Sequence, residues 1–171
     1  MRKQKGFSLI ELLIVVAIIL IIAAIAIPNL LRAKIAANES SAAASVRTIV
    51  TANIEYSTTF PGAGFPAAIT NLGPSASSCA GGPTSTTACI IDAVLASGVK
   101  SGYTIADTGQ TANPQGAFTQ FSVSAIPQTW NSTGVKAFCA NEDGVVRYVV
   151  PTAAPAAANT TATCGAYTAM Q

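Results

Sequence analysis

Few side chains in this sequence can do chemistry, and three groups stand out by type and spacing. Glu11 is the single charge in the 21 residues from Phe7 to Ile27. A carboxylate in so apolar a run needs a cation, a helix N-terminus or a proton, because an unpaired charge is costly to bury. The cysteines Cys79, Cys89, Cys139 and Cys164 form the second group. An even number suits disulfides in an oxidising compartment. Three pairings are possible, and the shortest loops favour Cys79–Cys89 with Cys139–Cys164, each closure contributing about 3 kcal/mol in the chain-entropy model. A zinc site is disfavoured, since the chain has no histidine and no closely spaced cysteine pair. The third group is Glu142 and Asp143. Two adjacent carboxylates fall short of the about six to eight oxygens calcium requires. They read as solvated turn residues, with Asp143 able to form a local ion pair with Arg147 that contributes little if exposed. Without histidine no Ser-His-Asp or Cys-His arrangement can form, and no phosphate loop or dinucleotide fingerprint occurs. No catalytic residue, metal or cofactor is assigned, and the chain does not read as an enzyme.

The elements that carry these residues begin with the apolar run. As a helix it spans roughly 31 Å, about one hydrocarbon core. Fifteen of its residues are Leu, Ile, Val or Phe, which favour the bilayer by roughly 5 to 9 kcal/mol in total. A charged carboxylate near mid-membrane costs about 3 kcal/mol and less near the interface, so the segment inserts despite Glu11. Arg2, Lys3 and Lys5 stay on the cytoplasmic side by the positive-inside tendency. A plain cleaved signal peptide is disfavoured, because the run is too long and the helical pattern continues beyond Pro28. A simple membrane anchor accounts for the run but leaves Glu11 unexplained.

Pro28 removes a backbone hydrogen bond and crowds the preceding turn. It marks either a helix end or a kink or locally melted stretch, and the pattern after it favours continuation. Ile35, Ala42, Val46, Ile49, Val50, Asn53 and Tyr56 recur at helical spacing, with Arg47, Thr48, Thr51 and Glu55 on the other side. One helix of about residues 7–58 is expected, with residues 7–30 embedded and 31–58 amphipathic. Residues 59–102 read as a loop punctuated by Pro, Gly and Ser, with a short helix at Ile90–Ala96 stopped by Gly98. Gly102–Ile105 is a candidate strand. FTQFSVSAI alternates, with Phe121, Val123 and Ala125 on one face, and Asn141-Glu142-Asp143-Gly144 joins VKAFCA and GVVRYVV as a hairpin. The tail is poor in core residues, and Cys164 pins it to the Cys139 strand. The expected fold is α+β, a long N-terminal helix packed on a small antiparallel sheet.

Lys5-Gly6-Phe7-Ser8-Leu9-Ile10-Glu11, the apolar run and Pro28 together resemble the N-terminal signal of type IV pilins and type II secretion pseudopilins. The resemblance is dense over about residues 1–35; beyond them it extends only to the layout, with a variable C-terminal disulfide loop. It implies cleavage by prepilin peptidase between Gly6 and Phe7, N-methylation of Phe7, and a leader of residues 1–6. It implies a single-pass protein of the bacterial inner membrane, N-terminus inside, delivered by an assembly machinery into an extracellular homopolymer. Glu11 would then pair with the amino group of Phe7 on a neighbouring subunit. At about 4 Å and an effective dielectric near 20 that attraction is roughly 4 kcal/mol before desolvation. The alternative partner is the dipole of Glu11's own helix. Glu11, Phe7 and Pro28 are the expected assembly residues.

Removing the leader takes the side-chain balance from +2 to −1, six basic against seven acidic residues. Nothing in that balance argues for nucleic-acid binding. Charged residues make up 9% of the chain, so an outer domain at residues 59–171 must present mainly Ser, Thr, Gly, Ala and Asn. Sequons occur at Asn38, Asn131 and Asn159. The resemblance offers adhesion, motility and DNA uptake without choosing among them. The alternative readings are a pseudopilin of a periplasmic pseudopilus and a tethered binding protein that never polymerises.

Overall fold

The structure is a computed structural model and describes residues 8–74, 79, 81–156 and 160–170. It comprises two units, residues 1–34 and 35–171. The helix α1, Leu9–Thr59, passes from one into the other and contains Pro28. The helical pattern therefore does not end at Pro28, although a proline inside a helix costs about 3 kcal/mol. The helix stops where Phe60 precedes Pro61, a position that disfavours helical backbone, and the Phe60 N–H closes the last turn on Tyr56 O at 2.8 Å.

In the second unit α1 buries Ala42, Val46, Ile49, Val50, Asn53 and Tyr56. This is the expected stripe, and Ile35 at its start is only half buried. The stripe packs on a six-stranded antiparallel sheet whose spatial order is the chain order. The strands are β1 Val99–Lys100, β2 Tyr103–Ala112, β3 Phe118–Pro127, β4 Ala137–Asn141, β5 Arg147–Val149 and β6 Thr168–Ala169. Tyr103 and Ile105 on β2, Phe121, Val123 and Ala125 on β3, and Phe138 and Ala140 on β4 complete the core. Phe65 from the connecting segment stacks obliquely on Phe121 at 4.8 Å between centroids.

Four expectations need correction. The strand expected at Gly102–Ile105 is β2, which begins at Tyr103 and runs to Ala112, since it pairs with β3 from Tyr103↔Pro127 to Ala112↔Phe118. The short helix is Ala93–Ala96, not Ile90–Ala96. Asp92 is its N-cap, with its carboxylate accepting from Leu95 N at 3.0 Å, and the Ile90 and Ile91 N–H groups are taken by Leu72 O at 2.8 and 3.1 Å. Asp at that position favours starting the helix after itself. The segment 59–102 holds a 3-10 turn at Ile69–Asn71 and β1 as well. The tail, expected to be merely pinned, forms a short helix α3 at Thr161–Gly165 and then β6, which pairs with β5.

That tail also changes the far face of the sheet. Alternation along β3 predicts polar residues facing water, yet Ser122 and Ser124 are buried along with Phe121, Val123 and Ala125. All five residues of β4 are buried too. Cys139, Cys164 and Tyr167 form a small second cluster on that side. Asn141 donates from Nδ2 to Thr161 O at 3.2 Å, and Gln110 Oε1 accepts from Thr161 N at 3.1 Å.

Candidate functional site

Ser8 and Glu11 open α1 together. The Ser8 backbone N–H donates to Glu11 Oε2 at 3.0 Å, and Leu12 N bonds Ser8 O at 3.3 Å. Ser-x-x-Glu is the pattern in which the third helical residue reaches back to the cap, and a negative charge there favours the positive end of the helix dipole. Glu11 is thus oriented by its own helix. Beyond the dipole, Ser8-Leu9-Ile10-Glu11 carries a local N-terminal signal of its own, the Glu11 carboxylate taking the Ser8 N–H.

Among the described residues of the first unit, the apolar side chains that follow find no partner. From Leu9 to Leu31 their exposure runs from 46% at Val16 to 79% at Leu9. The helix is long and apolar enough to cross a membrane. An apolar surface of this extent marks an interface with lipid or protein. Gly6 and Phe7, where processing is expected, lie outside the described residues.

The cysteines pair as Cys79–Cys89 and Cys139–Cys164. Cys139 and Cys164 are fully buried, whereas Cys79 is exposed. The second bond ties α3 to β4, and with it the cover on the far face. Among the described residues no group of three His, Cys, Asp or Glu side chains could hold a metal. Asp143 and Arg147 form a fork-like ion pair, 3.1 Å from Nη1 to Oδ1 and 2.5 Å from Nη2 to Oδ2. Chiefly the Arg147 hydrogen bonds hold the Asp143 carboxyl below its ordinary value.

Of the sequons, Asn38 spends its amide on Thr133 O at 2.8 Å. Asn131 is exposed in a turn, with φ of 61°, and Asn159 lies outside the described residues. Beside Asn38, Glu39 holds the start of β4. Its Oε1 accepts from Val135 N at 3.0 Å and Lys136 N at 3.1 Å, while Oε2 pairs with Lys136 Nζ at 3.2 Å. A cleft of about 350 Å³ opens here, lined by Glu39, Lys136, Phe138, Tyr148 and Met170 among others. Tyr103 reaches the same segment just before β4, donating its hydroxyl to Lys136 O at 2.8 Å. Burial, and secondarily the Glu39 charge, push its phenol well above the ordinary value.

The polar pair in the core was not anticipated. Asp107 is 3% exposed and Asn53 is fully buried. Asn53 Nδ2 donates to Asp107 Oδ2 at 2.8 Å and to Ile49 O at 3.0 Å. Burial outweighs the lowering effect of the Asn53 bond and the Thr108 backbone and raises the Asp107 carboxyl from 3.8 to about 7. The signal was present: Asn53 sits on the apolar stripe of α1, and Asp107 continues the Tyr103, Ile105 alternation of β2.

Comparison with known proteins adds to the N-terminal geometry. Residues 1–27 match the family model of the prokaryotic N-terminal methylation motif. The chain carries this motif. The motif covers Gly6, Phe7 and Glu11, and its apolar part is the exposed run of α1. The major component of the type IV wide pilus of Thermus thermophilus is 65% identical over 40 residues, 23% of this chain and 30% of that protein. The type IV major pilin of Myxococcus xanthus is 48% identical over 54 residues, 32% of this chain and 24% of that protein. The matches thus span less than a third of either relative. No solved structure matches the chain.

Proposed function

We propose that this chain is the structural subunit of a type IV pilus. The observation that carries the reading is the methylation motif on a continuous helix whose apolar side chains lack partners among the described residues of their own unit. Both relatives are type IV pilus components, and neither is a secretion pseudopilin, which leaves that alternative without a relative behind it. In this reading prepilin peptidase removes residues 1–6 and the helix waits in the inner membrane. The same apolar surface then passes from lipid to neighbouring helices in an extracellular homopolymer. No chemical step is required of the subunit, which is not an enzyme in this reading.

Glu11 has two separable tasks. Toward its own chain it caps the Ser8 N–H; toward a neighbour it supplies the charge for the Phe7 amino group. Glu11→Gln keeps an oxygen for the cap and loses the charge, while Glu11→Ala loses both. Both variants should remain processed and membrane-inserted yet yield no sheared surface filaments. Normal filament yield from Glu11→Gln would overturn the charge pairing. Mass spectrometry of the sheared fraction should find a species beginning at methylated Phe7, and retention of residues 1–6 in the mature protein would overturn the whole reading.

A further inference from the structure

The Asp107–Asn53 contact is incomplete as an ionised pair. Asp107 Oδ1 and Asn53 Oδ1 are both buried acceptors without a hydrogen-bond partner. An ionised Asp107 would leave two lone acceptors in the core, each with an uncompensated desolvation cost. One proton resolves both, because a protonated carboxyl is a donor as well as an acceptor. We infer that Asp107 carries a proton on Oδ1 and donates it to Asn53 Oδ1, closing a reciprocal acid–amide pair that joins α1 to β2 and opens as that proton is lost.

Among the described residues the surroundings offer no cation to replace the proton. From α1, Asn53 faces the carboxyl, and the next titratable group on that stripe, Tyr56, commits its hydroxyl to Ser85 O at 2.6 Å. Arg47 and Glu55 are exposed on the other side of that helix. On β3, Val123 stands opposite Asp107 in register. The preceding loop contributes backbone, Ala67 O accepting from Gly109 N and Ala68 bridging to Thr108. No charged residue stands among the perturbing causes at Asp107, which are burial, the Asn53 bond and the Thr108 backbone.

The pH dependence has a definite sign. A carboxyl raised from 3.8 to about 7 on folding binds more protons folded than unfolded between those values. Stability from this group is therefore greatest below about pH 4 and falls as pH rises to about 7. The folded-to-unfolded ratio drops by up to about tenfold per pH unit there. Asp143, held low, acts below pH 4 and with the opposite sign, so the window from pH 5 to 7 reports on Asp107.

The test is urea unfolding of the full chain in detergent micelles from pH 5 to 8, wild type against Asp107→Asn. The asparagine imitates the protonated acid and can exchange both bonds with Asn53. The wild-type midpoint should fall with rising pH, while the variant should be flat and more stable than wild type at pH 8. A wild-type profile that is flat or rising, or a variant less stable at pH 8, would overturn the inference. The carbon-13 shift of the Asp107 carboxyl in the wild-type chain gives an answer that needs no variant. A midpoint near neutrality supports the pair, and one in the ordinary carboxylate range refutes it.

Discussion

Glu39→Ala tests how the start of β4 is held to α1. The carboxylate is 12% exposed and the Lys136 side chain 43%, so the two halves of this contact differ in worth. Truncation leaves the Val135 and Lys136 N–H groups, now bonded at 3.0 and 3.1 Å, without their acceptor. Bonds to a charged group contribute about 1.5 to 3 kcal/mol each, and water reaching the opened cleft returns part of that loss. A destabilisation of about 2 to 4 kcal/mol is expected. Lys136→Met removes the half-exposed end of the ion pair and the ammonium's 5.7 Å approach to the Tyr148 ring, both weak at a solvated site, and should cost no more than about 1 kcal/mol. Trp130, the single tryptophan, lies in the same loop, so its fluorescence during urea unfolding of the full chain in detergent reads the site directly. If Glu39→Ala costs under about 1 kcal/mol, or Lys136→Met costs as much, the backbone clamp is not what holds this strand.

The two disulfides should respond to reductant in order of exposure. Alkylation with mass spectrometry should capture Cys79 and Cys89 under mild reduction, with buried Cys139 and Cys164 modified only on unfolding. Replacing the Cys139–Cys164 bond, which closes 25 residues, should cost about 3.5 kcal/mol in the chain-entropy model, measured as a lower urea midpoint. Gly134→Ala would place a Cβ against the Tyr103 hydroxyl, forcing it off Lys136 O. Overpacking of this kind costs about 1 to 3 kcal/mol and should appear as a lower thermal midpoint.

What could be read from the chain alone was local and periodic. The apolar run declares itself by length, the helix stripe by spacing, and the hairpin at Asn141–Gly144 by turn residues; Gly144 indeed takes φ of 73° there. The missing parts depend on distant neighbours. Asp107, Gly109 and Gln110 interrupt the apolar alternation of β2, and only pairing with β3 keeps them in the strand. Thr168 and Ala169 are two exposed residues with no pattern, made a strand by β5. Ser122 and Ser124 look solvent-facing until α3 is laid over them. At Glu11 the reverse holds: Ser8-x-x-Glu11 is a local pattern, and the Ser8 N–H bond to the Glu11 carboxylate follows from it directly.

The sheet ends in two-residue strands on both sides, β1 and β6. Long open edges invite one chain to extend the sheet of the next, and very short edges discourage it. A protein concentrated into an ordered array faces that hazard at every contact. Here β1 and β6 offer almost no backbone to a neighbour, and the edge of β2 beyond β1 is partly taken by the connecting segment, Ala68 bridging to Thr108 and Ala67 O accepting from Gly109 N. In the proposed filament, cohesion between copies would then come from side chains, which can be released and remade, rather than from continuous backbone ladders of the kind that make amyloid irreversible.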